Sequence, residues 1–358
     1  MRPLLIFCLF LLLFGLPLLG TRLTGKSIVP FLKFPPTTVE VTPEETAWTL
    51  LYCGFVLIIL TFLPFLIKLL SVPQQSWTEQ TQHPFPSWGW LAFASLIIFW
   101  IIAWNRFSWF TEFQLHTFTP LWLSYIVLIN AVTSMRTGHC LLLNQPRFFF
   151  YLFPLSAGFW WVFEYLNRFV QNWYYLPTRE FDALTYFLLG SLSFSTVLPA
   201  IYGTYQLLLS FQRITVPFTS WQKVNITDVR GLGWILILLA GIGLIGIGIW
   251  PTFLYPLVWT SPLLMMLGFQ IVHKQESLLG ALQEGDWRPV TTPALAGLIC
   301  GFLWELWNSQ SLAHWEYSLP YLQAFQLFEM PILGYGGYIP FGIECILLIQ
   351  IFLPDHSR

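Results

Sequence analysis

The chain has 358 residues, of which 56% are hydrophobic, 19% aromatic and 9% charged, and its net charge is −1. A soluble domain carries about 25% charged residues, so this composition excludes a water-soluble globule. The near-neutral balance excludes a nucleic-acid partner, because phosphate binding needs a basic surface.

A membrane-crossing helix needs roughly 17 to 25 apolar residues. Ten apolar stretches near or above that length follow in chain order, at 4–20, 46–70, 89–105, 119–134, 148–166, 184–211, 232–250, 253–273, 292–308 and 338–353. The first follows Arg2 and resembles a signal peptide. Its end, Leu-Pro-Leu-Leu-Gly, is a poor cleavage site, so an uncleaved signal anchor is expected. A Pro- and Thr-rich loop over 21–45 comes next, and a polar linker over 71–88 follows the second segment. Prolines at 256, 262 and 340 interrupt the eighth and tenth segments. The expected fold is therefore an all-α polytopic membrane protein with about ten transmembrane helices. Ten of the sixteen Lys and Arg fall on the side of both chain ends and six on the other. Positive residues favour the cytoplasm, so both termini are expected there, in an integral protein of the bacterial inner membrane. Cys8, Cys53, Cys140, Cys300 and Cys345 lie in or beside apolar runs without metal-type pairing, and no disulfide framework is expected.

Residues 120–200 recur near 262–340 at a spacing of 141 or 142. Pro120 maps to Pro262, Gly138 to Gly280, Arg147 to Arg288, Glu164 to Glu305 and Asn167 to Asn308. Trp173 maps to Trp315, Tyr175 to Tyr317 and Pro199 to Pro340. The organisation expected is a two-helix region at 1–86, then two tandem four-helix repeats at 87–213 and 232–353. An even helix number makes the repeats parallel, about an axis along the membrane normal.

Each repeat carries one intramembrane carboxyl, Glu164 and Glu305, and such residues usually mark function. The alternative is a glutamate at a helix end that reaches headgroup water. Asn167 and Asn308 follow three residues later, on the same helix face. Trp160 and Trp161 precede Glu164, and Trp304 precedes Glu305. Trp173 and Tyr175, and Trp315 and Tyr317, sit either at headgroup level or as a cap over the site. Glu344 lies four residues after Pro340, behind the helix-breaking run Gly334-Tyr335-Gly336-Gly337, and 329–344 is expected to be irregular and to border the site. His314 with Glu305 and Glu344 would be a possible metal trio, but a wet loop histidine is the better reading, so no metal is expected.

Two familiar spellings are rejected. Gly20 to Ser27 fits a phosphate loop but follows a membrane helix rather than a strand. Gly241-x-Gly243-x-x-Gly246 fits a dinucleotide loop but lies inside an apolar helix, where small residues let helices approach.

Trp304-Glu305, then Trp315-Glu316-Tyr317, then Gly337-Tyr338-Ile339-Pro340 with Glu344 resembles the lycopene cyclase domain family, over about 50 residues per repeat. Repeat one matches less fully, and the family's adjacent glutamate pair after the proline is absent. The resemblance implies cofactor-free, proton-initiated cyclisation of an apolar lipid or isoprenoid substrate. Glu305 would be the acid, with Glu164 or Glu344 as base or charge stabiliser. Trp161, Asn167, Trp173, Trp304, Asn308, Trp315 and Tyr317 would bind substrate. Two other readings stay open: a transporter or channel using the glutamate pair for protons or cations, and an assembly protein whose glutamates pair with Arg168 or Arg179. Oligomeric state is not legible.

Overall fold

The computed structural model describes residues 3–36, 45–71, 83–177, 181–274 and 277–353. Arg2, Arg179 and Arg358 lie outside the described residues. The longer helices are α1 (Pro3–Leu23), α2 (Trp48–Ser71), α3 (Ser87–Trp104), α4 (Phe118–Thr137) and α5 (Pro146–Val170). They continue as α6 (Ala183–Phe194), α7 (Val197–Leu209), α8 (Val229–Ile249), α9 (Leu257–Val272), α10 (Arg288–Asn308) and α11 (Tyr338–Phe352).

Among the described residues, eight helical stretches are long and apolar enough to cross a membrane, with α6 and α7 together forming one of them. The chain is thus an all-α membrane protein. Two of the ten expected segments fall outside that set. In α5, Tyr151, Trp160, Trp161 and Glu164 dilute the apolar run. In α9, the helix is only 16 residues long.

The expected single helix over 184–211 is broken at Ser195–Thr196. Pro199 has no amide hydrogen to donate to the carbonyl of residue 195. Ser156 of α5 bridges the break, donating to the Phe194 carbonyl at 2.5 Å and accepting from the Leu198 amide at 3.0 Å.

Small residues set two backbone contacts. A Cβ at Gly20 would run into the Ile245 carbonyl, and one at Gly248 into the Pro17 carbonyl, so α1 and α8 touch main chain to main chain. Close approach is the use expected of the glycines in α8: Gly243 faces Ser261 of α9 and Gly241 faces Leu16 of α1, while the main-chain contact with α1 is made by Gly248, beyond the motif. Gly20 to Leu23 remain inside α1, so no phosphate-binding loop forms there. Gly297 of α10 and Gly342 of α11 form the second contact. Tyr165 ties α5 to α1, donating to the Phe14 carbonyl at 2.6 Å.

Among the described residues, four short strands depart from the all-helical expectation. β1 (Trp173–Leu176) and β2 (His314–Tyr317) pair antiparallel, with Trp173 opposite Tyr317, Tyr174 opposite Glu316 and Tyr175 opposite Trp315. The two Trp-x-Tyr loops thus meet, and each supplies the other's backbone partners, as buried main chain requires. Within the ladder Tyr174 donates to Glu316 Oε2 at 2.7 Å. β3 (Gln326–Leu327) and β4 (Met330–Pro331) form a small hairpin that leads into a 3₁₀ turn over Ile332–Gly337 and then α11.

Candidate functional site

Glu164 lies near the end of α5, where it is buried. Its Oε1 accepts three hydrogen bonds, from Trp160 Nε1 at 3.0 Å, Trp173 Nε1 at 3.1 Å and Tyr175 Oη at 2.6 Å. Trp160 is one turn back on the same helix, and the other two donors come from β1. Asn167, one turn on, fixes that strand. It donates to the Trp173 carbonyl at 2.8 Å and accepts from the Asn172 amide at 2.7 Å.

Glu305 occupies the corresponding place on α10 and is fully buried. Its Oε1 accepts from Tyr317 at 2.7 Å and Tyr338 at 2.5 Å. Trp315 Nε1 donates to the Tyr317 hydroxyl at 2.7 Å rather than to the carboxyl. Asn308 clamps β2 as Asn167 clamps β1, donating to the Trp315 carbonyl at 2.7 Å and accepting from the Trp315 amide at 2.8 Å. One difference between the halves has a steric cause. The position matching Trp160 is Gly301, and a Cβ there would strike the Tyr338 ring. Tyr338 therefore fills the space that an indole fills beside Glu164.

Burial first, then the neighbouring glutamate, pushes the Tyr175 and Tyr317 phenols well above their ordinary range. Both remain hydrogen-bond donors at physiological pH.

A cavity of about 400 Å³ lies under the β1–β2 ladder. Neither glutamate lines it directly, whereas their donors Trp160, Trp173, Tyr175, Tyr317 and Tyr338 do. Trp304 also lines it, its ring 5.1 Å from Trp122 and 5.9 Å from Tyr338. The capping tryptophans pack across the two halves. Trp173 lies 5.5 Å from Trp259 of α9, and Trp315 lies 6.0 Å from Phe118 of α4. The stretch 329–344, expected to be irregular, is helical from Tyr338 onward as the start of α11; its earlier part contributes Met330, Leu333, Gly334, Gly336 and Gly337 to the wall.

No protein-family model, curated protein or solved structure matches this chain.

Of the expected site residues, the structure gathers Glu164, Glu305, Asn167, Asn308, Trp173, Trp304, Trp315 and Tyr317 around one cavity. Two expectations are corrected. Trp161, three residues before Glu164, is turned away; its Nε1 donates to Ser191 at 2.9 Å and its ring stacks on Phe187 of α6. Trp160, one residue earlier, takes the place beside the carboxyl. Glu344 is not brought to the other glutamates. One turn beyond Pro340, it points between α1, α5 and α9 into a separate cavity.

The metal trio is not assembled either, since His314 Nε2 lies 3.5 Å from Glu316. Arg168 is not paired with Glu164 but donates to the Phe31 and Lys33 carbonyls at 2.8 and 3.0 Å.

Sequence reasoning missed Tyr338 as a donor and Trp259 as a wall. The spacing of 142 that holds around Pro120 and Pro262 pairs Trp259 with Thr117, so the repeat does not nominate it. Tyr338 matches Val197, and the repeat offers no signal for it.

Proposed function

We propose that this chain is an integral membrane enzyme that cyclises or isomerises an apolar lipid or isoprenoid by proton-initiated chemistry without a cofactor. The observation that carries this reading is the pair of buried carboxyls, Glu164 bonded to one phenol and two indoles and Glu305 to two phenols, all of which wall a single aromatic cavity. The finer architecture belongs to the same proposal: ten spans, with two four-helix halves related by an axis along the membrane normal. The symmetric register of β1 and β2 and the matched asparagine clamps support that duplication.

The reaction balances without an oxidant. Glu305 supplies the proton through Tyr317 or Tyr338, whose hydroxyls both donate and accept. A proton adds to one carbon of a terminal alkene. The π electrons of a neighbouring double bond then close a carbon–carbon bond and leave a carbocation. The faces of Trp160, Trp173, Trp259 and Trp304 stabilise that cation. Hydrogen bonds from Trp160 and Trp173 to Glu164 make those two rings more electron-rich. A proton leaves the carbon beside the cation through Tyr175 to Glu164, which regenerates an alkene. Proton exchange with water resets the two carboxyls.

The test is expression beside a pathway that makes a linear polyene, followed by extraction and comparison with Glu305→Gln. A new cyclic product that Glu305→Gln removes is the expected result. An extract identical with and without the chain counts against the cyclase reading.

A further inference from the structure

Among the described residues, Glu344 is the one buried carboxyl that the proposed reaction leaves unused. It lines a second cavity, of about 230 Å³, between α1, α5, α9 and α11. Val162 and Met266 form the inner wall with it, and every other lining residue is apolar. Glu344 is fully buried, and among the described residues neither carboxyl oxygen has a hydrogen-bond partner. The two cavities are separated by aromatic rings. Phe341 stacks parallel on Phe159 at 6.0 Å, and its other neighbours include Trp160 and Trp259 of the first cavity.

The outer wall differs from the inner one. Pro154 and Gly158 of α5 are exposed and Phe10 of α1 is half-buried. A Cβ at Gly158 would meet nothing within 4 Å. In a chain embedded in a bilayer, this opening between α1 and α5 faces hydrocarbon. A polar group without a partner is costly there, so the carboxyl calls for a ligand that arrives through lipid.

We propose that this cavity binds the hydroxyl end of a membrane-soluble lipid alcohol, with Glu344 as the recognition group. A hydroxyl donates and accepts, so it pairs with a carboxyl in either protonation state. An ammonium would require a buried ion pair, with its desolvation cost, and an alkane would leave the carboxyl unpaired. The cavity exceeds the roughly 150 Å³ that holds benzene and falls below the roughly 300 Å³ at which drug-sized pockets begin. It therefore takes the head and first carbons, while the tail stays in the bilayer past Pro154 and Gly158.

The test uses the full chain in phosphatidylcholine vesicles, with dodecanol as the probe and dicyclohexylcarbodiimide as the reporter. The carboxyl O–H adds across a C=N bond of the carbodiimide, and an O-to-N acyl shift gives a stable N-acylurea with nothing lost. Peptide mass then locates the label. The expected result is labelling at Glu344 that dodecanol slows at least fivefold and dodecane does not. Gly158→Leu, which fills the mouth without touching Glu344, should slow labelling similarly at unchanged helicity. No labelling of Glu344 in the folded chain, or equal protection by dodecane, overturns the proposal. Labelling in Glu305→Gln should match wild type, so this site stands or falls apart from the cyclase reading.

Discussion

Replacing Gly301 by alanine sets two physical effects against each other. Helix propensity alone favours alanine over glycine by up to about 1 kcal/mol. The structure gives the opposite sign, because the new Cβ would overlap the Tyr338 ring. Overpacking of a filled interior costs about 1–3 kcal/mol. Moving Tyr338 also weakens its 2.5 Å bond to Glu305, which is fully buried; a hydrogen bond to a neutral carboxylic acid contributes about 0.5–1.5 kcal/mol. The net expectation is a loss of about 1–3 kcal/mol, read from reversible denaturant unfolding in detergent micelles. Tyr338→Phe keeps the ring and removes the donor, so it separates the two contributions. In the double variant Gly301→Ala with Tyr338→Phe, the losses should sum to less than the two singles, since both act on one hydrogen bond. A Gly301→Ala protein as stable as wild type would refute the steric account and the placement of Tyr338 against α10.

The matched asparagines should behave alike. Asn167→Ala and Asn308→Ala each leave strand backbone groups unpaired, for an expected loss of about 2–4 kcal/mol apiece in the same unfolding assay; a negligible change in either would deny the clamp. The raised Tyr175 and Tyr317 phenols predict alkaline sensitivity. Their folded values lie above the unfolded value of about 10, so the associated stability is intact below that pH and is lost as pH climbs toward the folded values. Unfolding at rising pH should show this loss, and Tyr175→Phe with Tyr317→Phe should blunt it. A lipid-soluble maleimide should label exposed Cys53 in the folded chain and reach buried Cys300 and Cys345 only after denaturation. Early modification of Cys300 would contradict its place in the core.

Much of the site was legible because polar residues in an apolar chain are sparse enough to keep visible time. Glu164, Asn167, Trp173 and Tyr175 recur as Glu305, Asn308, Trp315 and Tyr317, and they meet because β1 and β2 pair. What the spacing could not show was direction. Trp160 and Trp161 are neighbours in sequence, and the helix rotates about 100° between them, so one faces Glu164 and the other Ser191. Pro340 and Glu344 look like one motif and share a helix face, but Glu344 lies one turn, about 6 Å, further along α11, where that face meets α1 and α5. Tyr338 was hidden because a glycine on another helix, Gly301, makes its place. Such complementarity belongs to a pair of helices and leaves no mark on either alone.

The backbone contact between α1 and α8 also bears on how the chain is assembled as it is made. α1 ends at Leu23 and α8 begins at Val229, so about 200 residues separate the partners. At roughly 5–20 residues per second of synthesis, α1 waits about 10–40 s for the surface that Gly20 fits. During that interval its glycine face is open to other segments in the bilayer. Gly20→Leu should therefore leave insertion of the first helix intact and arrest the protein later, once α8 has emerged.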